Sequence, residues 1–487
     1  MKKLTLLHSN DLHGDFLADE PDAGLVGGVS MLSGYINKVR NEEKNVLYAV
    51  AGDMFRGSLI DSEYKGLSTI EIMNLLAPDV VTPGNHEVDY GLAHLLFLEK
   101  CANFPIINAN MYVKHNGRRL FRSHIIKKIG GMRILFIGIL TEETLETTRR
   151  EELIGSLIDI RDAADEVCRI TDAYRTSDID MTVLLTHIGF EEDKKLAAAL
   201  DPGCAVDLII GGHSHTRLEE PCVIAGIPIV QAAVGTDQIG RFDIVIDEDD
   251  NCIDSYTWEL VPITPERCPR DEALEEVIDR YREETDSKYA RILTRFAQAY
   301  THPQRNCETE LGDLLSESMR QQLGVDLVLL ASGSIRQQSL GPIVTLKDLA
   351  ETFPFPDPMI GFEMTGAQLK RALCYMLREE AFDEGFHSEW YQFSDGFFCE
   401  YDRASGEILQ LAMNGSEIQD GDIFRAAMQG YHYQGMQKHL GVSVEEVEKN
   451  APPEELATEA ANVLEEYFLN HDYVKLNDKQ RLQIHGQ

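Results

Sequence analysis

Residues 4–14 read Leu4-Thr5-Leu6-Leu7-His8-Ser9-Asn10-Asp11-Leu12-His13-Gly14. A short apolar run ends on a carboxylate and an imidazole two positions apart, with a glycine behind them. The pattern returns along the chain. Ala51-Gly52-Asp53 closes the run from Val46, and Pro83-Gly84-Asn85-His86-Glu87 follows Val80–Thr82. Leu184-Leu185-Thr186-His187 ends another run, and Gly211-Gly212-His213-Ser214-His215 follows Leu208–Ile210. In an open α/β sheet, loops at the carboxyl ends of strands converge on one crevice, so residues far apart in sequence can meet there. The candidate ligands are Asp11, His13, Asp53, Asn85, His187, His213 and His215. Hard oxygens mixed with imidazole nitrogens suit divalent Zn, Mn, Fe or Co. Seven ligands exceed one tetrahedral ion and suit two ions, with Asp53 able to bridge them through its two oxygens. Two metals close together point to phosphoester hydrolysis.

Taken singly, each position has an ordinary explanation. Asp11 or Asp53 reads as a cap or turn residue, His13 as a surface histidine, Asn85 after Pro-Gly as a turn residue, and His187 as a core histidine. Together, five motifs each stand behind a predicted strand, and that conjunction favours one shared site. His86 follows Asn85, and Asp89 lies three residues on. A carboxylate at that spacing can hold the imidazole in one tautomer and favour its protonated form. The competing reading has Glu87 and Asp89 capping a helix that starts near Tyr90.

The pattern divides the chain near residue 268. Leu4–His8, Val46–Ala51, Val80–Thr82, Ile106–Asn108, Ile134–Leu140, Thr182–Thr186 and Leu208–Ile210 read as buried strands. Met31–Val39, Thr69–Leu76, Leu92–Cys101, Ala163–Ala173 and Lys194–Leu200 read as helices between them, an α/β layering over residues 1–268. Ile227–Val234, Arg241–Ile246 and Ser255–Val261 read as consecutive strands. Pro262, Pro265 and Pro269 then punctuate the chain, and Asp271–Arg291 reads as a charged linker helix within residues 269–295 rather than a core element. A second α/β domain over residues 296–487 begins with helix Thr309–Leu323 and strand Asp326–Ala331, followed by helices Leu346–Thr352 and Gly366–Arg378.

The 487 residues are 43% hydrophobic and 26% charged, the composition of a folded globular protein of two domains. A net charge of −37 repels a polyphosphate backbone and argues against nucleic-acid polymers as partners. It leaves room for a small anion, because metals and a few arginines reverse the field inside one cleft. Nine cysteines without a CxxC pair, an N-terminus without a signal-peptide apolar region and no run of membrane-span length favour reduced thiols, no membrane and a cytoplasmic setting.

Asp11-Leu12-His13-Gly14, Ala51-Gly52-Asp53, Gly84-Asn85-His86-Glu87-Val88-Asp89-Tyr90-Gly91, Thr186-His187 and Gly211-Gly212-His213-Ser214-His215 together resemble the calcineurin-like metallophosphoesterases. Within that superfamily the chain resembles the two-domain 5′-nucleotidases and UDP-sugar hydrolases, strongly to about Gly240 and more weakly beyond. The resemblance implies a four-layer αββα N-terminal domain, joined by a helix to a C-terminal α/β domain that selects the substrate. It puts Asp11, His13 and His215 on one ion and Asn85, His187 and His213 on the other, with Asp53 bridging and His86–Asp89 as the catalytic dyad.

For the second domain the resemblance implies four substrate-binding residues. Arg336 ends the loop Ala331-Ser332-Gly333-Ser334-Ile335-Arg336, which resembles the family's Asn-Gly-Gly-Gly-Ile-Arg. Such a loop can meet a phosphate with backbone N–H groups and a guanidinium. Arg305 matches a family arginine in its Arg-x-x-Glu-Thr context, and Phe355 and Tyr431 match the two base-stacking aromatics. The family's Gly-Gly-Asp-Gly segment, with its ribose-contacting aspartate, is replaced here by His432-Tyr433-Gln434-Gly435. The expected activity is hydrolysis of nucleotide phosphomonoesters by metal-activated water. The alternatives are a cyclic-nucleotide phosphodiesterase, a hydrolase of nucleotide sugars or other nucleotide diphosphate derivatives, and a non-catalytic nucleotide-binding protein. The small molecule in each case is a nucleotide or a related phosphoester.

Overall fold

The computed structural model describes residues 1–20, 24–140, 158–201, 203–247, 249, 251–354, 357–383, 388–477 and 479–486. The chain forms two compact units, Met1–Thr285 and Asp286–Gln487.

The first unit is built on two sheets. One runs in the order Cys252–Pro262, Gln238–Asp247, Lys2–Ser9, Val46–Ala51, Val80–Thr82. The last three are mutually parallel, and Gln238–Asp247 is antiparallel to its neighbours on both sides. The other runs Cys222–Ile224, Ile227–Val230, Leu208–Ile210, Met181–His187, Met132–Leu140, His124–Ile129, with four parallel strands inside and an antiparallel strand at each edge.

Side chains alternate across each strand, and both faces are buried, so the central strands read as unbroken apolar runs. Leu4, Leu6, Leu47, Ala49 and Ala51 of the first sheet pack against Phe136, Val183, Leu185 and Ile210 of the second. On the outer face of the first sheet, Leu7, Tyr48, Val50 and Val81 pack with Leu32, Tyr35 and Ile36 of helix Val29–Glu42. On the outer face of the second, Ile137, Ile139, Leu184 and Ile209 pack with Val167 and Ile170 of helix Ala163–Tyr174 and Leu196 of helix Phe190–Ala199. Helix, sheet, sheet and helix make the four layers implied by the family resemblance.

Three expectations need correction. Ile106–Asn108 forms isolated bridges, Ile106 to Val81 and Ile107 to Arg122, rather than a strand. The Asn108 side chain turns the chain there by accepting from the N–H groups of Asn110 and Met111. Helix Glu272–Tyr289 is not merely a linker. Leu274, Ile278 and Tyr281, spaced i, i+4, i+7, join the core of the first unit. Cys168 and Cys204 are bonded, 36 positions apart with Cα atoms 5.4 Å from each other, so the cysteine pattern does not carry the cytoplasmic expectation. Their spacing has no local signature, because Cys168 lies in helix Ala163–Tyr174 and Cys204 in the loop after helix Phe190–Ala199, and the two meet only once the chain has folded.

The second unit holds a mixed sheet in the order Tyr391–Phe393, Leu327–Ala331, Ile423–Gln429, Met359–Thr365, Glu454–Ala457. Leu327 and Leu329 face one core and Val328 and Leu330 another. Helix Glu310–Leu323 starts at the Thr309 hydroxyl, which accepts from Gly312 N–H, and stops at left-handed Gly324.

Asp207 locks two neighbouring strands of the first unit together. Its N–H donates to Thr182 O (3.0 Å) and its carboxylate accepts from Thr182 N–H (2.7 Å). Burial pushes this carboxyl up to about 6, against the opposing effect of the Thr182 N–H. A carboxyl raised in the folded state contributes stability that is complete below its ordinary value near 3.8 and is lost as pH rises through about 6. We expect this group to lower the unfolding free energy by up to about 1.4 kcal/mol per pH unit across that window. Asp207→Asn should remove the component in urea titrations from pH 4 to 7.5. Equal pH slopes for the two proteins would acquit Asp207.

Candidate metal centre

Every candidate ligand of the first unit lies at the carboxyl end of a parallel strand. Asp11 and His13 follow Lys2–Ser9, Asp53 follows Val46–Ala51, and Asn85 follows Val80–Thr82. His187 ends Met181–His187, and His213 and His215 follow Leu208–Ile210. The structure brings them together. Ligand atoms of Asp11, His13 and His215 lie within 4.8 Å of one another, as do those of Asp53, His187 and His213. Asn85 Oδ1 stands 3.2 Å from His187 Nε2 and 3.0 Å from His213 Nδ1. Asp53 Oδ2 lies between the groups, 3.1 Å from His187 Nε2 and 3.8 Å from His13 Nε2. Asp11, Asp53 and His187 form a buried floor, whereas the His215 side chain is 44% exposed at the rim.

The hydrogen bonds behind these side chains decide what they can hold. His187 Nδ1 donates to Ala51 O (2.9 Å), and His13 Nδ1 to Phe55 O (3.2 Å). A carbonyl only accepts, so each Nδ1 carries a proton, and each neutral ring turns its Nε2 lone pair into the site. There the His187 lone pair meets the acceptor oxygens of Asp53 and Asn85, and His13 Nε2 meets His215 Nε2 at 3.1 Å. Acceptors converging in a buried floor need a proton or a cation between them. With no metal, a proton serves. Burial by itself would lower the His187 pKa, but Asp53 and Asp11 outweigh it and raise it to about 9. Burial would likewise raise Asp53, but His187 holds it below the usual carboxylate range. This donor set and geometry fit divalent cations that displace such protons.

The backbone is bent to make this possible. Asp11, His13, Asp53, His213 and His215 have φ of 52°, 49°, 52°, 78° and 50°. Left-handed backbone costs a non-glycine residue on the order of 1 kcal/mol and persists where the surroundings enforce it. Gly52 bends the chain with φ of 78°, and close approach requires glycine at both Gly52 and Gly84. A Cβ at Gly52 would stand 2.4 Å from His187 Nδ1, and one at Gly84 would stand 2.2 Å from Asp53 Oδ1.

Glu87 enforces part of this geometry. It is buried and accepts from the N–H groups of Asp53 (3.0 Å), Met54 (2.6 Å) and Gly84. Burial, reinforced by Asp53, pushes its carboxyl up to about 7. The capping alternative fails, because helix Leu92–Cys101 begins beyond it at Gly91. Asp89 instead accepts from His86 Nδ1 at 2.7 Å. Burial opposes protonation of His86, but the Asp89 hydrogen bond and the Asp53 charge prevail and raise its pKa. No sequence pattern marks Asn10, which donates to Asp11 Oδ2 (2.6 Å) and accepts from Ala232 N–H (2.8 Å).

The remaining candidates belong to the second unit. Phe355 lies outside the described residues. Arg305, Arg336 and Tyr431 are exposed, and the Tyr431 N–H donates to Asp357. In the loop that ends at Arg336, four backbone N–H groups have partners within the chain. Ser332 N–H donates to Trp390 O, Gly333 N–H to Glu389 (3.0 Å), Ile335 N–H to Ser332 O and Arg336 N–H to Thr352 O. Residues 432–434 lie in the short helix Gly430–Gln434, where His432 is buried against Tyr391.

Comparison with known proteins gives the lineage. Residues 4–217 match the calcineurin-like phosphoesterases, and residues 287–440 match the 5′-nucleotidase C-terminal domain. The 5′-nucleotidase of Mus musculus is 26% identical over 455 residues, 84% of this chain and 74% of that protein. The 5′-nucleotidase of Vibrio vulnificus (strain CMCP6) is 26% identical over 490 residues, 89% of this chain and 85% of that protein. The crystal structure of a 5′-nucleotidase precursor from Thermus thermophilus shares the fold across all of both chains, with a TM-score of 0.67 at 23% identity. With the two domain matches in this order along one polypeptide, the chain belongs to the two-domain 5′-nucleotidase family of calcineurin-like, metal-dependent phosphoesterases.

Proposed function

We propose that this protein hydrolyses nucleotide phosphomonoesters at a dinuclear centre in its first unit. The observation that carries the reading is the meeting of acceptor lone pairs at His187, Asp53 and Asn85 beside the hydrogen-bonded pair His86–Asp89. Calcineurin-like phosphoesterases use two metals, and this chain's donors are of the right kind for Zn, Mn, Fe or Co. Asp11, His13 and His215 would hold one ion and Asn85, His187 and His213 the other, with Asp53 shared. Two divalent ions there supply Lewis acidity toward a phosphoryl oxygen and a nucleophilic water at neutral pH.

The chain's own residues do the rest. Asp89 accepts only, so His86 keeps its proton on Nδ1, and in the raised-pKa imidazolium the second proton sits on Nε2. From there it can neutralise charge on a phosphoryl oxygen or pass to the departing alkoxide. Glu87 holds the loops of Asp53 and Asn85 at their working separation through three backbone N–H groups.

Turnover of a panel of nucleoside monophosphates, cyclic nucleotides and nucleotide sugars, with Mn²⁺ or Zn²⁺ added, tests the substrate. The monophosphates should be cleaved fastest, and a chelator should abolish the activity until metal is returned. Preference for a cyclic diester or a diphosphate would reassign the substrate class. No turnover at full metal occupancy would leave a binding protein. His86→Ala should lower kcat by ~10²–10⁴ with metal content unchanged. An unaltered kcat would remove His86 from the chemistry. Glu87→Gln puts an amide where only acceptors fit and should weaken metal binding by ~10–100-fold in a titration. Wild-type affinity in that variant would make Glu87 incidental.

A further inference from the structure

Arg56 lies three residues past Asp53 in a loop that also supports His13. The preceding carbonyl, Phe55 O, accepts from His13 Nδ1, and a Cβ at Gly57 would stand 2.3 Å from His13 O. Arg56 itself has φ 67°. Its Nε donates to Asp89 Oδ2 at 2.9 Å, the same oxygen that accepts His86 Nδ1. A second connection closes a ring. Asp61 is fully buried, and its Oδ2 accepts from both Arg56 N–H (2.8 Å) and Tyr90 OH (2.7 Å). Tyr90 follows Asp89 in the chain, and its ring centroid lies 5.5 Å from the Arg56 guanidinium carbon. The Arg56 and Asp89 side chains are 20% and 18% exposed, so their pairing is more shielded than an ordinary surface ion pair.

A lone carboxylate three residues from a histidine can swing about two side-chain torsions. One gripped by a guanidinium that is itself fixed at the backbone and over a ring cannot. We propose that Arg56 is a positioning residue, whose guanidinium holds the Asp89 carboxylate so that the His86 imidazole stays beside Asp53 and His13. The arginine thereby joins the loop that carries a metal ligand to the pair that handles the proton. This inference rests on the phosphoesterase reading of the same site.

The test is a double-mutant cycle on the Mn²⁺-loaded full chain, with adenosine 5′-monophosphate as substrate. Arg56→Ala should lower kcat about tenfold. Its KM should stay within about twofold, with metal content unchanged. Arg56→Lys should recover part of the loss. In an Asp89→Asn background the same truncation should change kcat by less than about twofold, because the group through which Arg56 acts is already lost. Repeating the cycle with Arg56→Gln keeps the comparison available if the alanine variant does not fold. Equal losses in both backgrounds would overturn the proposal, and so would a raised KM at unchanged kcat, which would mean direct contact with substrate. Absence of turnover by the metal-loaded parent is a separate outcome: it would sink the phosphoesterase reading and this inference with it.

Discussion

His187 Nε2, Asp53 Oδ2 and Asn85 Oδ1 turn lone pairs toward one another in a floor largely closed to water. Much of the first unit follows from that constraint. Acceptors cannot face each other in a buried place unless positive charge stands among them, and each wall of the site is arranged to keep them there. Backbone carbonyls at Ala51 and Phe55 fix two imidazole tautomers. The N–H of His213 donates to Asp11, and that of His86 donates to Asp53. Asp53 and Asp11 raise the His187 pKa against the opposing effect of burial, so the pocket favours positive charge.

Holding such a site calls for a rigid frame, and the sandwich of two sheets provides one. Strands packed on both faces cannot slip register without repacking the side chains of two close-packed cores at once. Their carboxyl ends are therefore dependable anchors. The left-handed residues at the site are bends in short loops between such anchors, and Glu87 and Asp61 tie those loops from behind. The two buried carboxylates carry no metal in this scheme, yet they set the separation between groups that do.

Legibility in the sequence followed the same physics. The strands behind the ligands were readable because double burial makes them continuously apolar, and Asp11, His13, Asp53, Asn85, His187, His213 and His215 stood out because each follows one. Glu87 did not stand out, since a carboxylate beside a turn is ordinary until its three N–H partners are known. Helix Glu272–Tyr289 looked solvated because its apolar stripe is narrow. In the second unit helix Leu346–Thr352 was readable from its pattern. Most strands there are short or half-exposed, and the loop before Arg336 has small residues whose N–H groups turn out to bind within the chain.

The sequence alone determined the class of chemistry, because ligand type and position behind strands are local properties that survive without coordinates. It also determined the layered architecture, through the lengths and alternation of apolar runs. Tertiary structure decided which lone pairs face each other, which carboxylates support rather than ligate, that Cys168 meets Cys204, and that Arg56 and His86 share one oxygen of Asp89. Those are contacts between segments far apart in the chain or turned by side-chain torsions. No spacing rule encodes them, because they exist only after the sheets have brought the loops together.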